Sequence, residues 1–148
     1  MTLIHSLATV RVDYDEPNAI QNAITAAHLN GEILGMSLAD SIPLTGTGQA
    51  ERLVHELHLD DFLTTSGVLA AVNGYERTFA DPLTFLRYVA GLEGETRPYS
   101  LATFFKKGDE LWCMIWHHMN GGHDLFVHAV EPDHRWTEKY RFLVEYKQ

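Results

Sequence analysis

The chain has 148 residues, of which 45% are hydrophobic and 21% charged, and this composition is typical of one globular domain with its own core. A formal net charge of −9 disfavours general nucleic-acid binding, because an acidic surface repels phosphates. No apolar run approaches the roughly 20 residues of a membrane span. The N-terminus lacks signal-peptide features, and the single Cys113 excludes an internal disulfide, so we expect a cytoplasmic protein.

The first 40 residues predict a strand-helix-strand unit. Apolar and polar side chains alternate over residues 10–14, which is typical of a half-buried strand. Asp15 stands just before Glu16 and Pro17 and predicts a helix N-cap, and Asn30-Gly31 predicts the end of that helix. Residues 32–39 then predict a second strand.

The middle of the chain predicts two further helices and one ambiguous segment. Thr47 is placed to cap a helix over residues 49–58, whose apolar residues fall along one helical edge. Residues 60–72 suit either a short helix or a buried strand. Asp81-Pro82 predicts an N-cap followed by proline in the first turn, and Gly91 ends that helix.

In the last third the hydrophobic period changes from 3.6 to 2, which predicts strands. They lie over residues 100–106, 110–119, 124–130 and 140–146, and glycine-containing turns at 107–109 and 120–122 join the first three. The predicted class is α+β, with the N-terminal unit and helices packed on a C-terminal antiparallel meander of three to four strands. We expect residues 1–148 to form one domain.

Residues 112–128 contain many side chains that could bind a ligand or transfer a proton: two tryptophans, four histidines and an aspartate. With a three-residue loop at 120–122, Met119 faces His123, His118 faces Asp124 and Trp116 faces Phe126. One face is then aromatic and polar, and carries Trp112, Trp116, His118, Asp124, Phe126 and His128. The opposite face, with His117 and His123, is more aliphatic and is the predicted core face. A shift of one residue would exchange these assignments.

His118 and Asp124 are the predicted acid-base pair, because the carboxylate would orient the imidazole and favour its charged form. The structural alternative is a cross-strand polar pair at the hairpin tip. Ser66 and Ser100 lie in no nucleophile motif. Cys113 is expected in a buried strand, where a thiol is usually inert.

Five aromatic or imidazole side chains are candidates for contact with a ligand or partner: Trp112, Trp116, Phe126, His128 and Trp136. The two hairpin tryptophans form either an aromatic layer beneath the helices or an exposed platform. Trp136 lies in a charged segment, and we expect it to be partly exposed.

No metal site or cofactor is predicted, because no recognised ligand motif is present. His117 with His123, and His118 with Asp124, are the near pairs of potential zinc ligands, and each would need further ligands from elsewhere. Zinc therefore stays an open alternative.

Two functional hypotheses follow. The first is a small acidic cytoplasmic protein that binds a protein partner, as inhibitors, immunity proteins and phage or plasmid accessory proteins of this size and charge do. The alternative is a small enzyme with a ligand pocket over the 112–128 hairpin, using His118 and Asp124 with or without the assistance of a metal. A concave pocket would favour the enzyme, and a flat exposed face the binder. Neither nucleic acid nor membrane is an expected partner.

Overall fold

The computed structural model describes residues 2–27, 29, 32–33, 36–92, 97–119 and 122–147. The described residues form a seven-stranded mixed sheet made of β1 (Thr2–Asp13), β4 (Gln49–His58), β6 (Arg77–Phe79), β7 (Ser100–Lys107), β8 (Glu110–Met119), β9 (Gly122–Ala129) and β11 (Tyr140–Tyr146). Two small ribbons pair β2 (Glu32–Ile33) with β3 (Met36–Ser37), and β5 (Leu63–Thr64) with β10 (Arg135–Trp136). The helices are α1 (Ala19–Ala26), α2 (Thr65–Gly74) and α3 (Pro82–Ala90), with a 3₁₀ turn at Leu38–Ser41.

The main strand order is β1-β4-β11-β7-β8-β9, and β6 also pairs with β11. The pairing of β11 with β7 is parallel, and the other pairings of this sheet are antiparallel. Among the helices of the described residues, none is long and apolar enough to cross a membrane.

Both faces of the sheet are covered. On the face that we call the helical face, α1 and α3 bury strand residues that include Val10, Val54, Leu101, Met114 and Trp116. On the opposite face, α2 and Trp136 bury a second cluster that includes Leu57, Phe104, Cys113, Phe142 and Val144. The predicted fold class was therefore wrong, since the sheet dominates the architecture and is not a small meander beneath helices.

Residues 49–58 form the strand β4, not the predicted helix. Val54 and Leu57 lie three residues apart and point to opposite faces of the sheet, and each enters a different apolar cluster. A strand that is covered on both sides can thus imitate helical spacing. The predicted strand over 32–39 is also wrong, because the described residues there form β2, β3 and the 3₁₀ turn.

The sequence located two helix starts with different success. Asp81 caps α3 as predicted, accepting hydrogen bonds from the Thr84 backbone N–H at 3.1 Å and from the Tyr14 hydroxyl at 2.6 Å. Asp15 does not cap α1, which begins after Asn18 without a side-chain cap. Its carboxylate instead accepts the Gly48 N–H at 3.0 Å. The predicted helix end at residues 30–31 lies outside the described residues.

Candidate functional site

The register of the β8-β9 hairpin differs from the prediction by one residue. Met119 pairs with Gly122, so only two residues connect the strands. His118 consequently lies opposite His123, and His117 lies opposite Asp124. The predicted cross-strand pairing of His118 with Asp124 was wrong, because the assumed loop was one residue too long. A one-residue shift exchanges the two faces of β9.

The aromatic face that was predicted to meet a ligand is a core face. Trp116 is 1% exposed and its ring stacks on that of His123 at 5.2 Å between centroids. Leu125 and Val127 of β9 are buried in the same cluster. Trp112 is partly buried, with the Lys107 ammonium 4.4 Å from its ring centroid. The two hairpin tryptophans therefore form an aromatic layer beneath the helices and not an exposed platform.

A row of polar residues crosses the opposite face near the hairpin end. Tyr140 of β11 pairs with Ser100 of β7, and His117 of β8 pairs with Asp124 of β9. Leu101 of β7 pairs with Trp116 of β8. The next pair of positions along these two strands is therefore Ser100 and His117. Adjacent strands are about 4.8 Å apart, so the row brings four polar groups together from four strands.

The centre of this polar row is a short hydrogen bond. Ser100 Oγ lies 2.6 Å from His117 Nδ1, and the tautomer of the imidazole decides which atom donates. The backbone N–H of Ser100 donates to the Lys139 carbonyl at 2.8 Å, which holds the serine in place. Burial, with a smaller contribution from Cys113, raises the pKa of Tyr140, so this hydroxyl keeps its proton at neutral pH.

A pocket of about 400 Å³ opens above the Ser100-His117 pair. Its walls are largely apolar and include Ile115, Phe126 and Tyr140, while Lys139 supplies the positive charge among its lining residues. Lys139 forms no ion pair with any residue that the structure describes. Phe126 is 47% exposed and forms part of the rim. The arrangement combines an apolar recess with a base and a hydroxyl, as ligand sites often do.

A larger groove of about 650 Å³ lies beside β1 and offers less chemistry. Its arginines are already paired, since Arg11 contacts Glu51 and Arg87 contacts Glu16, each at 3.1 Å. Both arginines of the groove are therefore engaged by carboxylates, and Asp13 adds a further negative charge to its lining.

Trp136 is completely buried, so the expectation of partial exposure was wrong. Its indole N–H donates to Thr65 Oγ1 at 2.9 Å, and its ring packs against Phe104, Tyr140 and Phe142. These contacts make Trp136 a core residue beneath α2 rather than a contact for a partner.

His128 is exposed above Cys113, with its ring nitrogens 3.6 and 3.7 Å from the sulfur. Burial raises the pKa of the Cys113 thiol to about 12, so the thiol stays protonated and inert at neutral pH. His128 Nδ1 lies 2.9 Å from the Ala129 carbonyl, to which it must donate.

The structure also separates the two histidines considered as zinc ligands. His117 lies in the polar row, whereas His123 stacks on Trp116 on the helical face. Within the described ranges, no group of three or more histidine, cysteine, aspartate or glutamate side chains is placed to hold a metal ion.

Sequence reasoning missed a buried ionic cluster on β4. Glu56 is 4% exposed and accepts hydrogen bonds from the Tyr88 hydroxyl at 2.5 Å and from Arg97 and Arg141 at 2.8 and 3.3 Å. Burial and the bond to Glu56 raise the pKa of Tyr88. The predicted helix over 49–58 gave no signal that Glu56 is buried. Its carboxylate is fully engaged, so the cluster is structural.

No protein-family model, curated protein or solved structure matches the chain.

Proposed function

We propose that the protein is a small enzyme that transfers acyl groups, with Ser100 as nucleophile and His117 as general base. The observation that carries this proposal is the 2.6 Å contact between Ser100 Oγ and His117 Nδ1 at the base of a pocket. A serine is a weak nucleophile unless an adjacent base accepts its proton. His117 takes the role that the sequence suggested for His118.

In the proposed reaction, Ser100 Oγ attacks the carbonyl carbon of an ester while its proton moves to His117 Nδ1. The bond to the leaving alkoxide breaks, and the leaving group takes that proton from the imidazolium. Water then hydrolyses the acyl-serine with His117 again as base, which regenerates both side chains. Asp124 is the residue of β9 directly opposite His117, and its carboxylate would stabilise the positive charge that forms on the imidazole in each step.

The pocket favours a small and mostly apolar acyl group. Ile115, Phe126 and Tyr140 line a volume of about 400 Å³, which is at the lower end of pockets that enclose small molecules. The Lys139 ammonium at the same pocket is the group that would stabilise negative charge on the substrate carbonyl.

The test uses a fluorophosphonate, which forms a bond between phosphorus and an activated serine oxygen and releases fluoride. We expect intact-mass analysis to show one adduct, mapped by peptide sequencing to Ser100, and hydrolysis of p-nitrophenyl butyrate by the wild type. Ser100→Ala and His117→Ala should each lower turnover by about 100-fold or more. Ser66→Ala is the matched control, because Ser66 is exposed and its hydroxyl donates to the Pro132 carbonyl oxygen at 3.3 Å.

Wild-type protein that neither reacts with the probe nor hydrolyses the ester would overturn the acyl-transfer proposal. Full turnover in Ser100→Ala together with complete loss in His117→Ala would instead make His117 a base that activates water, with Ser100 as its positioning residue. Equal labelling of the Ser66→Ala control and Ser100→Ala would show nonspecific reaction.

Binding of a protein partner is the second function that we propose, and exposed apolar side chains favour it. Leu53 of β4 and Tyr146 of β11 are 44% and 46% exposed. They occupy the positions next to the paired residues Val54 and Glu145, so they are neighbours across the two strands. Exposed apolar and aromatic residues that adjoin are typical of interaction surfaces. A partner that binds wild type and His117→Ala but not Leu53→Asp would support this function. A partner that binds all three equally would contradict this location.

A further inference from the structure

The two outer strands of the sheet differ in how their free edges are protected. β1 carries a register irregularity between Ile4 and Ala8 and ends with Arg11 and Asp13. Bulges and charges of this kind prevent edge strands from pairing with other chains. β9 pairs with β8 over eight consecutive positions without a shift, and it contains neither proline nor lysine. Among the strands that the structure describes, none pairs with the outer side of β9.

The sequence of β9 is complementary to itself when two copies run antiparallel. If Phe126 lies opposite the partner's Phe126, then Asp124 lies opposite the partner's His128, and His128 opposite the partner's Asp124. All three side chains lie on the face with the polar row, so they would meet on one surface. On the helical face the same register sets Leu125 opposite the partner's Val127 and extends the apolar layer.

This register is the favourable one for a two-fold arrangement. If the partner's strand is shifted by two positions toward the hairpin, Asp124 lies opposite the partner's Phe126, and His128 no longer faces the partner's Asp124. The His128 ring is also held on this face of β9, because its Nδ1 donates to the Ala129 carbonyl at 2.9 Å and its Nε2 lies 3.6 Å from Cys113 Sγ. Phe126 exposes 47% of its surface to solvent in one copy, and pairing would bury part of that area.

We propose that two copies of this chain pair through β9 in an antiparallel arrangement with Phe126 on the two-fold axis, joining their sheets edge to edge. The isologous contact contains one aromatic pair and two symmetry-related Asp124-His128 pairs. Because Phe126 also lines the pocket above Ser100 and His117, the partner's Phe126 would extend the rim of that pocket. The association does not depend on the acyl-transfer proposal.

Sedimentation velocity over micromolar to millimolar protein tests the association directly. We expect the wild type to dimerise with rising concentration, and Phe126→Lys to stay monomeric over the same range, because it places two like charges on the axis. Phe62→Lys is the matched control, since Phe62 is 53% exposed and belongs to no strand that pairs with β9. Circular dichroism confirms that each variant is folded. A wild-type monomer at all concentrations, or an unchanged dimer in Phe126→Lys, would overturn the proposal.

A charge exchange tests the register. Asp124→Arg sets arginine against the partner's His128, and His128→Asp sets aspartate against the partner's Asp124, so each variant alone repels its own copy. In a mixture the two variants regain opposite charges at both positions. We expect each variant alone to raise the dimer Kd about tenfold, and the mixture to recover wild-type association. A mixture that associates no better than its components would refute this register.

Discussion

Replacement of Trp136 tests most directly whether the second apolar cluster is built as described. The indole has no exposed surface and its ring centroid lies 5.0–5.4 Å from those of Phe104, Tyr140 and Phe142. Trp136→Ala removes these contacts and leaves a cavity beneath α2. Truncation of a buried aromatic residue costs about 3–5 kcal/mol of unfolding free energy, and the upper half of that range is expected here.

The hydrogen bond from the indole to Thr65 can be measured separately. Trp136→Phe preserves most of the ring packing but removes the N–H that Thr65 Oγ1 accepts at 2.9 Å. Thr65→Val removes the acceptor at nearly constant shape and leaves a buried N–H unpaired. We expect each single substitution to cost about 1–3 kcal/mol, and the double variant to cost about 1 kcal/mol less than their sum.

Urea unfolding followed by far-UV circular dichroism supplies these free energies, provided that the transition is two-state. Phe62→Ala is the matched control, since Phe62 is 53% exposed and a surface substitution should change stability by no more than about 0.5 kcal/mol. A cost below about 1 kcal/mol for Trp136→Ala would refute the buried placement. Trp136 would then be the partly exposed residue that its charged sequence context suggests.

Three further predictions concern buried ionisable groups. Cys113 loses its proton near pH 9.0 in the unfolded state and near pH 12 in the folded state, so the free energy of unfolding should fall as the pH rises between these values. Thiol reagents should therefore label only molecules that have opened. Rapid labelling of folded protein would refute this prediction. Burial raises the pKa of Glu145 more than Arg52 lowers it, so the folded state retains this proton to higher pH. Glu145→Gln should therefore gain stability relative to wild type as the pH rises above about 4.5, and an unchanged difference in calorimetry would contradict it. Glu56→Gln leaves two arginines without a counter-charge and should cost about 3 kcal/mol in urea unfolding; a loss below about 1 kcal/mol would show that the pairs are solvated.

The local patterns predicted the elements whose signal is contained within one segment. Two strands have the predicted bounds, Glu110–Met119 and Tyr140–Tyr146, because each is a short run rich in apolar and aromatic residues. The start of α3 was equally predictable, since the Asp81 cap and the following proline act within one helical turn. Such information does not depend on which strand lies next to which.

The errors arise where distant pairing decides the structure. Gln49–His58 lies between β1 and β11, which come from opposite ends of the chain. Its two faces meet different apolar clusters, so its hydrophobic residues do not alternate with polar ones. The buried Glu56 is bonded there by Tyr88, Arg97 and Arg141, which reach it from other parts of the chain. No local window of sequence contains those partners.

The candidate site was located by segment but not by residue, and the length of one turn explains the difference. Both β8 and β9 were predicted, yet adding a single residue to the loop between them exchanges the faces of β9. With the two-residue connection, Asp124 lies across from His117 and Phe126 reaches the rim of the pocket. Ser100 joins them through the pairing of β7 with β8, which no spacing motif encodes. The placement of Asp124 opposite His117 and of Phe126 at the pocket rim therefore depends on the β8-β9 register, whereas the contact between Ser100 and His117 depends on the pairing of β7 with β8.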